Sequence, residues 1–330
     1  MATIQIKNIG PITDTGIIPL TSVMLVIGKQ SSGKSTFLKI LCFCRWMEKL
    51  IMVSDEEAIS QYTHNLKFLK SMKQFHRFND SYFSSASSIR YEGDTITITM
   101  ENILSDVKIL RKPEFETVRY NTKLSFIPSE RNLVSVIRNI DQSYRSAESD
   151  VLFNYIFEWG EAKDSYTAEH PKRLSFTDNI EYINDGGNDL VRLINENKMI
   201  PAYYASSGVQ SAMPLDVMAD YFTGLVGKNA SVSKHDLANT LARYLGKDKE
   251  LTNEMLKSIS NKMKYQSVQL FIEEPEQNLY PDSQRNLTIN LVCALKQAMP
   301  KGRGDSMLVM TTHSPYIPVS YTHLTLPTIA

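Results

Sequence analysis

Gly28-Lys29-Gln30-Ser31-Ser32-Gly33-Lys34-Ser35-Thr36 stands between a run with strand character and a run with helix character. It fits the spacing G-x-x-x-x-G-K-[ST], the pattern of a phosphate-binding loop. Gly28 and Gly33 let the backbone fold tightly enough for its N–H groups to turn toward an anion. Lys34 carries a compact positive charge suited to the β- and γ-phosphates of a nucleotide, and the Ser35 hydroxyl suits Mg²⁺. Upstream, Val23-Met24-Leu25-Val26-Ile27 is an apolar run of buried-strand type. Downstream, Thr36 to Leu41 shows helical apolar spacing, and a helix opening near Lys34 would aim its positive dipole end at the same anion. Gly28 through Thr36 are therefore candidate nucleotide contacts.

Two distant segments complete this reading. Leu270-Phe271-Ile272 is apolar and runs into Glu273-Glu274-Pro275-Glu276. A central strand delivers carboxylates to the edge of a parallel sheet in this way. Glu273 is the candidate Mg²⁺ ligand, directly or through water, and Glu274 the candidate general base toward water. Met307-Leu308-Val309-Met310 is a further buried-strand candidate, followed by Thr311-Thr312-His313-Ser314-Pro315. A histidine at such a strand end can contact the γ-phosphate or orient water. Alone it would read as a capping residue at a turn.

With these three motifs the chain resembles the ABC-type ATPase heads of the SMC, RecF and OLD-family group, from Ile4 to about Ile317. The bacterial ATP-binding proteins called AAA-type core domains are the nearest likeness. The resemblance implies an α/β P-loop fold, with an ABC-ATPase-like mixed sheet flanked by helices and an inserted, mainly helical lobe. It matches Glu273 to the Walker B acid, Glu274 to the catalytic glutamate and His313 to the switch histidine. Pro275 to Pro281 is similar to the E-P-E-x-x-L-H-P run that contains the D-loop, with Tyr280 in place of the histidine. Ile127-Pro128-Ser129-Glu130-Arg131-Asn132 resembles the I-P-A-E-R-N segment near the Q-loop. Ala205-Ser206-Ser207-Gly208-Val209-Gln210 resembles the signature loop in its S-S-G-x-Q form, so Ser206, Ser207, Gly208 and Gln210 join the candidate contacts. In the family this loop reaches a nucleotide held by a second subunit, which implies a homodimer closed on two ATP molecules. Hydrolysis would reopen it. The resemblance further implies DNA repair or anti-phage defence, with DNA and a nuclease partner or nuclease domain involved. It places residues 1–131 and 226–318 in the ATPase core and 132–225 in the lobe.

Composition sets the outer bounds. At 330 residues the chain holds one large core with an inserted lobe or two modest domains. Lys+Arg and Asp+Glu are both 36, so bulk charge gives nucleic-acid binding no support. The three cysteines, Cys42, Cys44 and Cys293, lack metal spacing and read as buried free thiols of a reducing, cytoplasmic compartment. No apolar run has transmembrane length, and the start Met1-Ala2-Thr3-Ile4-Gln5-Ile6-Lys7 alternates like a strand instead of forming a leader.

Along the chain, early strands are expected over Thr3–Lys7, Gly16–Leu20 and Ser22–Ile27, and a helix over Ser35 to about Met52. Ser54 to about Phe78 continues with helical spacing and a basic face of Lys67, Lys70, Lys73 and Arg77. That face reads as solvated in preference to nucleic-acid-binding. Strands return over Ser88–Met100, around the turn Glu92-Gly93-Asp94, and over Lys123–Ile127. Asn132 to about Asn197 reads as mostly helical, with a loop or hairpin near Asn184-Asp185-Gly186-Gly187. Met199–Tyr204 follows as a strand. Gln210–Leu225, His235–Leu245 and Pro281–Ala298 read as helices, and Lys301 to Asp305 as a turn. Val319 to Ala330 breaks the pattern and resembles a translated sequencing-adapter tail, so it is expected to be non-native, and His323 receives no role. Two other readings compete with the ATPase: a transporter-type ATPase subunit, and a nucleotide-gated protein-binding module with little turnover. A small-molecule P-loop kinase lacks an acceptor-binding motif.

Overall fold

The computed structural model describes residues 1–54, 57–115, 120–138, 140, 150–228, 232, 236, 262–302 and 306–325. The central element is a parallel sheet of strands β4 (Val23–Ile27), β8 (Asn121–Ile127), β13 (Tyr265–Glu273) and β14 (Met307–Thr312), in the order β4-β14-β13-β8. All three pairings are parallel, so the four strands end at one edge. Side chains alternate between its faces with the strand period of two. Val268, Leu270, Ile272, Leu308 and Met310 enter one core. Phe271, Met307, Val309 and Phe126 enter the other.

Helix α1 (Lys34–Val53) covers the second face and is buried almost all round, from Phe37 and Leu38 to Ile51 and Met52. Its outer side meets an antiparallel sheet built from β1 (Thr3–Ile9), β2 (Ile12–Asp14), β3 (Ile18–Pro19), β5 (Phe83–Glu92), β6 (Ile96–Met100) and β7 (Lys108–Arg111). Ile4, Ile6, Ile89, Tyr91, Ile96 and Ile98 from that sheet share the core with α1. Each fully buried Ile, Leu or Phe here contributes about 1.5–3 kcal/mol. A one-sided helix could not sit between two sheets. The near-continuous apolar run Phe37 to Cys44 permits it.

The other face is covered by α5 (Val151–Lys163), α6 (Ser207–Leu225) and α7 (Pro281–Ala298), through residues such as Tyr155, Trp159, Met213, Val217, Leu287 and Leu291. Helices α2 (Glu57–Thr63), α3 (Lys67–His76), α4 (Leu133–Val136) and α8 (Tyr316–Thr325) are further α-helices of the described residues. This is an α/β P-loop architecture, with the loop joining the edge strand β4 to a buried helix.

Two expectations need correcting. Asn132 to Asn197 is not mostly helical. Its second half and the residues just after it fold as a four-stranded antiparallel sheet of β9 (Lys172–Arg173), β10 (Ile180–Asn184), β11 (Asp189–Leu193) and β12 (Lys198–Pro201). The turn at Asn184 is a true hairpin, since Asn184 Oδ1 accepts from the N–H groups of Gly186 (3.0 Å) and Gly187 (3.1 Å). Glu181 lies opposite Arg192 and pairs with it across the strands. The stretch Ser54–Phe78 is not one helix either. It breaks at Asn65 and Leu66, both left-handed at φ 59° and 55°. Its basic face is partly neutralised: Lys73 pairs with Asp80 at 2.9 Å and Arg77 Nε with Asp150 at 2.8 Å. Apart from Asp236, the expected helix over His235–Leu245 lies outside the described residues, as do residues 303–305 of the expected turn and 326–330. Val319, assigned to the odd tail, lies within α8. No helix among the described residues is long and apolar enough to cross a membrane.

Candidate functional site

The common edge of the parallel sheet gathers the three motifs. The phosphate-loop stretch leaves β4, Glu273 and Glu274 end β13, and His313 follows β14. The Ile127–Asn132 segment leaves β8 beside them.

In the phosphate loop, Gly33 has φ +93° and an added Cβ would meet Ile12 Cγ1 at 2.7 Å, so only glycine fits there. Ser31 is also left-handed, at φ 56°. Lys29, Gln30, Ser31, Ser32 and Ser35 are exposed, whereas Lys34 and Thr36 are buried. Helix α1 begins at Lys34 with no side-chain cap and no acidic residue in its first turn. Its first N–H groups therefore have no side-chain acceptor, which is the arrangement an anion completes.

Lys34 Nζ donates to the carbonyls of Gly28 (2.9 Å) and Lys29 (2.7 Å) and lies 3.3 Å from His313 Nδ1. An ammonium only donates, so Nδ1 accepts and the ring proton sits on Nε2. Nε2 in turn lies 3.2 Å from Glu274 Oε1 and donates to it. One hydrogen-bonded line thus joins Lys34, His313 and Glu274. Burial pulls the Lys34 ammonium below its ordinary value, and the charges of Glu274 and Glu276 oppose that pull.

Glu273 is buried, and its Oε2 accepts from Ser129 N at 3.3 Å. Glu274 is half-exposed and sits at φ 45°, a left-handed backbone for a non-glycine residue. Its N–H donates to Thr311 O at 2.9 Å, and its Oε2 accepts from Gln277 Nε2 at 3.2 Å. One hydroxyl, on Ser35, and one carboxylate, on Glu273, are the donor types that Mg²⁺ takes alongside phosphate oxygens. No group of three or more His, Cys, Asp or Glu side chains among the described residues is placed to hold a metal ion. This donor set fits a nucleotide-borne Mg²⁺ better than a protein cage.

Sequence reasoning assigned no role to Glu276, whose Oε1 accepts from Thr312 Oγ1 (2.7 Å), His313 N (2.7 Å) and Ser314 N (3.2 Å). It fixes the turn that carries His313. The second carboxylate of E-P-E was the available signal.

The signature-like segment forms the start of α6. Ser206 and Ser207 are exposed and Gly208 is half-buried. A Cβ on Gly208 would meet Asn278 O at 2.8 Å, so glycine lets α6 approach the turn after Glu274. Gln210 is turned inward, where its Nε2 donates to Tyr203 O at 2.8 Å. Among the described residues no hydrogen bond joins Gln210 to the phosphate loop. Cys42 and Cys44 are buried free thiols and Cys293 is partly buried. A cavity of about 560 Å³ lies beside the phosphate loop, lined by Ile12, Thr13, Ile18, Gly33 and Phe37 among others.

No family model and no curated protein matches the chain. Among solved structures it is similar to an SMC head domain from Thermotoga maritima, with 9% identity and a TM-score of 0.41 over 96% of this chain and 90% of that one. It is similar to an Smc head bound to the C-terminal winged-helix domain of ScpA, with 9% identity and a TM-score of 0.47 over 96% and 90%. A third likeness is to an Smc head with an extended coiled coil bound to the C-terminal domain of ScpA from Pyrococcus furiosus, with 8% identity and a TM-score of 0.41 over 97% and 92%. At this similarity the reading of the site rests on its own residues.

Proposed function

We propose that the chain is a Mg²⁺-dependent ATPase head. The supporting observation is the line Lys34–His313–Glu274, assembled from three distant segments beside an uncapped helix N-terminus. Bound ATP is the phosphoryl donor, and its Mg²⁺ would offset phosphate charge. Lys34 and the N–H groups of Gly28–Thr36 would hold the phosphates. Ser35 and Glu273 would hold the metal. Glu274 Oε1 accepts a proton from water as the water oxygen bonds to the γ-phosphorus and the bond from that phosphorus to the β-phosphate oxygen breaks, releasing ADP and inorganic phosphate, and His313 orients that water or the γ-phosphate through Nε2. Residues 1–131 and 226–318 serve as the ATPase core and 132–225 as the lobe.

Ser206, Ser207, Gly208 and Gln210 are read as the surface that meets a second subunit's nucleotide. For Ser206 and Ser207 exposure favours this. For Gln210 the inward bond to Tyr203 leaves only a supporting role. A cytoplasmic role in DNA repair or phage defence with a nuclease partner rests on the motif resemblance alone.

Nucleotide titration tests the binding half. Lys34→Ala removes a charged donor worth about 1.5–3 kcal/mol, so ATP affinity falls about 10- to 150-fold. Affinity unchanged in Lys34→Ala would count against the phosphate-loop assignment.

A further inference from the structure

We propose that Arg131 is a positioning residue that makes the placement of Glu274 depend on the position of α6. The inference rests on the ATPase reading of Glu274. Arg131 is fully buried, and its guanidinium is spent on backbone carbonyls. Nη1 donates to Glu273 O at 2.7 Å and to Pro128 O at 3.4 Å, and Nη2 donates to Glu274 O at 2.7 Å. Nε donates to Ser211 O on α6 at 2.8 Å. One planar fork therefore spans the end of β13 and the first turns of the helix that opens with Ser207 and Gly208.

Glu274 has the left-handed backbone noted above, which costs of order 1 kcal/mol or more and must be held by its surroundings. The Arg131 bonds to the carbonyls on both sides of the Glu274 N–Cα bond hold it. A second strut runs in parallel. Ser211 Oγ accepts from Asn278 Nδ2 at 2.9 Å, and Asn278 is the left-handed residue that closes the turn after Glu274. Ser211 thus carries both struts, one on its carbonyl and one on its hydroxyl. Gly208, one helical turn earlier, abuts the Asn278 carbonyl. Tyr155 OH donates to Arg131 O at 2.7 Å and anchors the arginine to α5. Burial lowers the Arg131 guanidinium to about 10, which leaves it charged near neutrality. A displacement of α6 must break or drag the Nε bond, and the same rigid fork transmits it to Glu274. Lysine cannot substitute, because a single ammonium lacks the planar fork.

The test compares steady-state ATP hydrolysis and ATP affinity in wild type, Arg131→Lys, Asn278→Gly and Glu274→Gln. Asn278 is exposed and glycine keeps its left-handed backbone, so that variant folds even if Arg131→Lys does not. The expected result is kcat lowered about tenfold or more in Arg131→Lys and about three- to tenfold in Asn278→Gly, with ATP affinity and KM within about twofold of wild type. Turnover within about twofold of wild type in both variants, while Glu274→Gln is inactive, overturns the positioning role alone. A wild type without Glu274-dependent turnover overturns the ATPase reading, and the positioning role falls with it.

Discussion

His76 shows how far a single residue can set a pH dependence away from the site. It is fully buried, both ring nitrogens lack partners, and it packs on Phe75 at 4.9 Å and Phe126 at 5.3 Å between ring centroids. Burial, aided by the nearby Lys39 charge, holds it well below its ordinary value. Above pH ~6.5 folded and unfolded states are both neutral here, and stability is at its full value. As pH falls below ~6.5, the unfolded chain takes up a proton that the folded chain refuses, and stability is lost at about 1.4 kcal/mol per pH unit. Chemical denaturation should show His76→Phe gaining about 2 kcal/mol relative to wild type between pH 7 and pH 5. An equal gap at both pH values would contradict this. At the same scale, Glu273, Glu274 and His313 stand out in the sequence because each follows an apolar run that turns polar, and Lys34 because it completes the G-x-x-x-x-G-K-[ST] spacing. The left-handed backbone of Glu274 and the bonds of Arg131 were not, since both arise from segments about 80 to 143 residues apart in sequence meeting in space.

Elements whose residues are buried on two sides announced themselves. The end of β13 (Leu270 to Ile272), most of β14 (Met307 to Met310) and α1 read as near-continuous apolar runs, and α7 begins at Pro281 and ends at Ala298 as its pattern predicted. Of the β9–β12 sheet only the Asn184 hairpin and part of β12 were legible, because its strands are half-exposed and carry Glu181, Asp189 and Arg192 in the same runs as their apolar residues. A helix-like polarity and a strand-like pairing then differ only in the partner strand, which sequence does not display. Helix α1 owes part of its placement to Glu48, which accepts from Thr95 N (2.6 Å), Thr95 Oγ1 (2.8 Å) and Arg45 Nη1 (3.1 Å), and from Tyr91 OH. Arg45 also pairs with Asp94. This buried network fixes α1 against the β5–β6 hairpin. Glu48→Ala leaves Thr95 N, Thr95 Oγ1 and Tyr91 OH without their buried acceptor while Arg45 keeps Asp94, so it should destabilise the fold by about 3 kcal/mol or more. Denaturation within about 0.5 kcal/mol of wild type would show the network to be dispensable.

At the scale of the whole molecule, parallel pairing is what makes a site. It brings the ends of β4, β8, β13 and β14 to one edge, where residues almost 280 apart in sequence, Lys34 and His313, touch at 3.3 Å. The equal counts of 36 basic and 36 acidic residues do not announce that edge, because its charge is local. The exposed Ser206 and Ser207 beside the site lead to an expectation for assembly. If the proposed two-nucleotide pair forms, Glu274→Gln with Mg²⁺-ATP should sediment at twice its nucleotide-free mass, because loss of hydrolysis would hold that pair closed. A mass unaffected by ATP would argue against the two-nucleotide pair.

The hydrolytic role stands on Glu274. Steady-state Mg²⁺-ATP turnover should therefore be compared between wild type and Glu274→Gln, with ATP affinity measured on the same samples. Loss of a positioned general base predicts turnover lower by about 10²-fold or more with affinity retained. Equal turnover in the two proteins would contradict the assignment of Glu274, and with it the ATPase mechanism built on the Lys34–His313–Glu274 line.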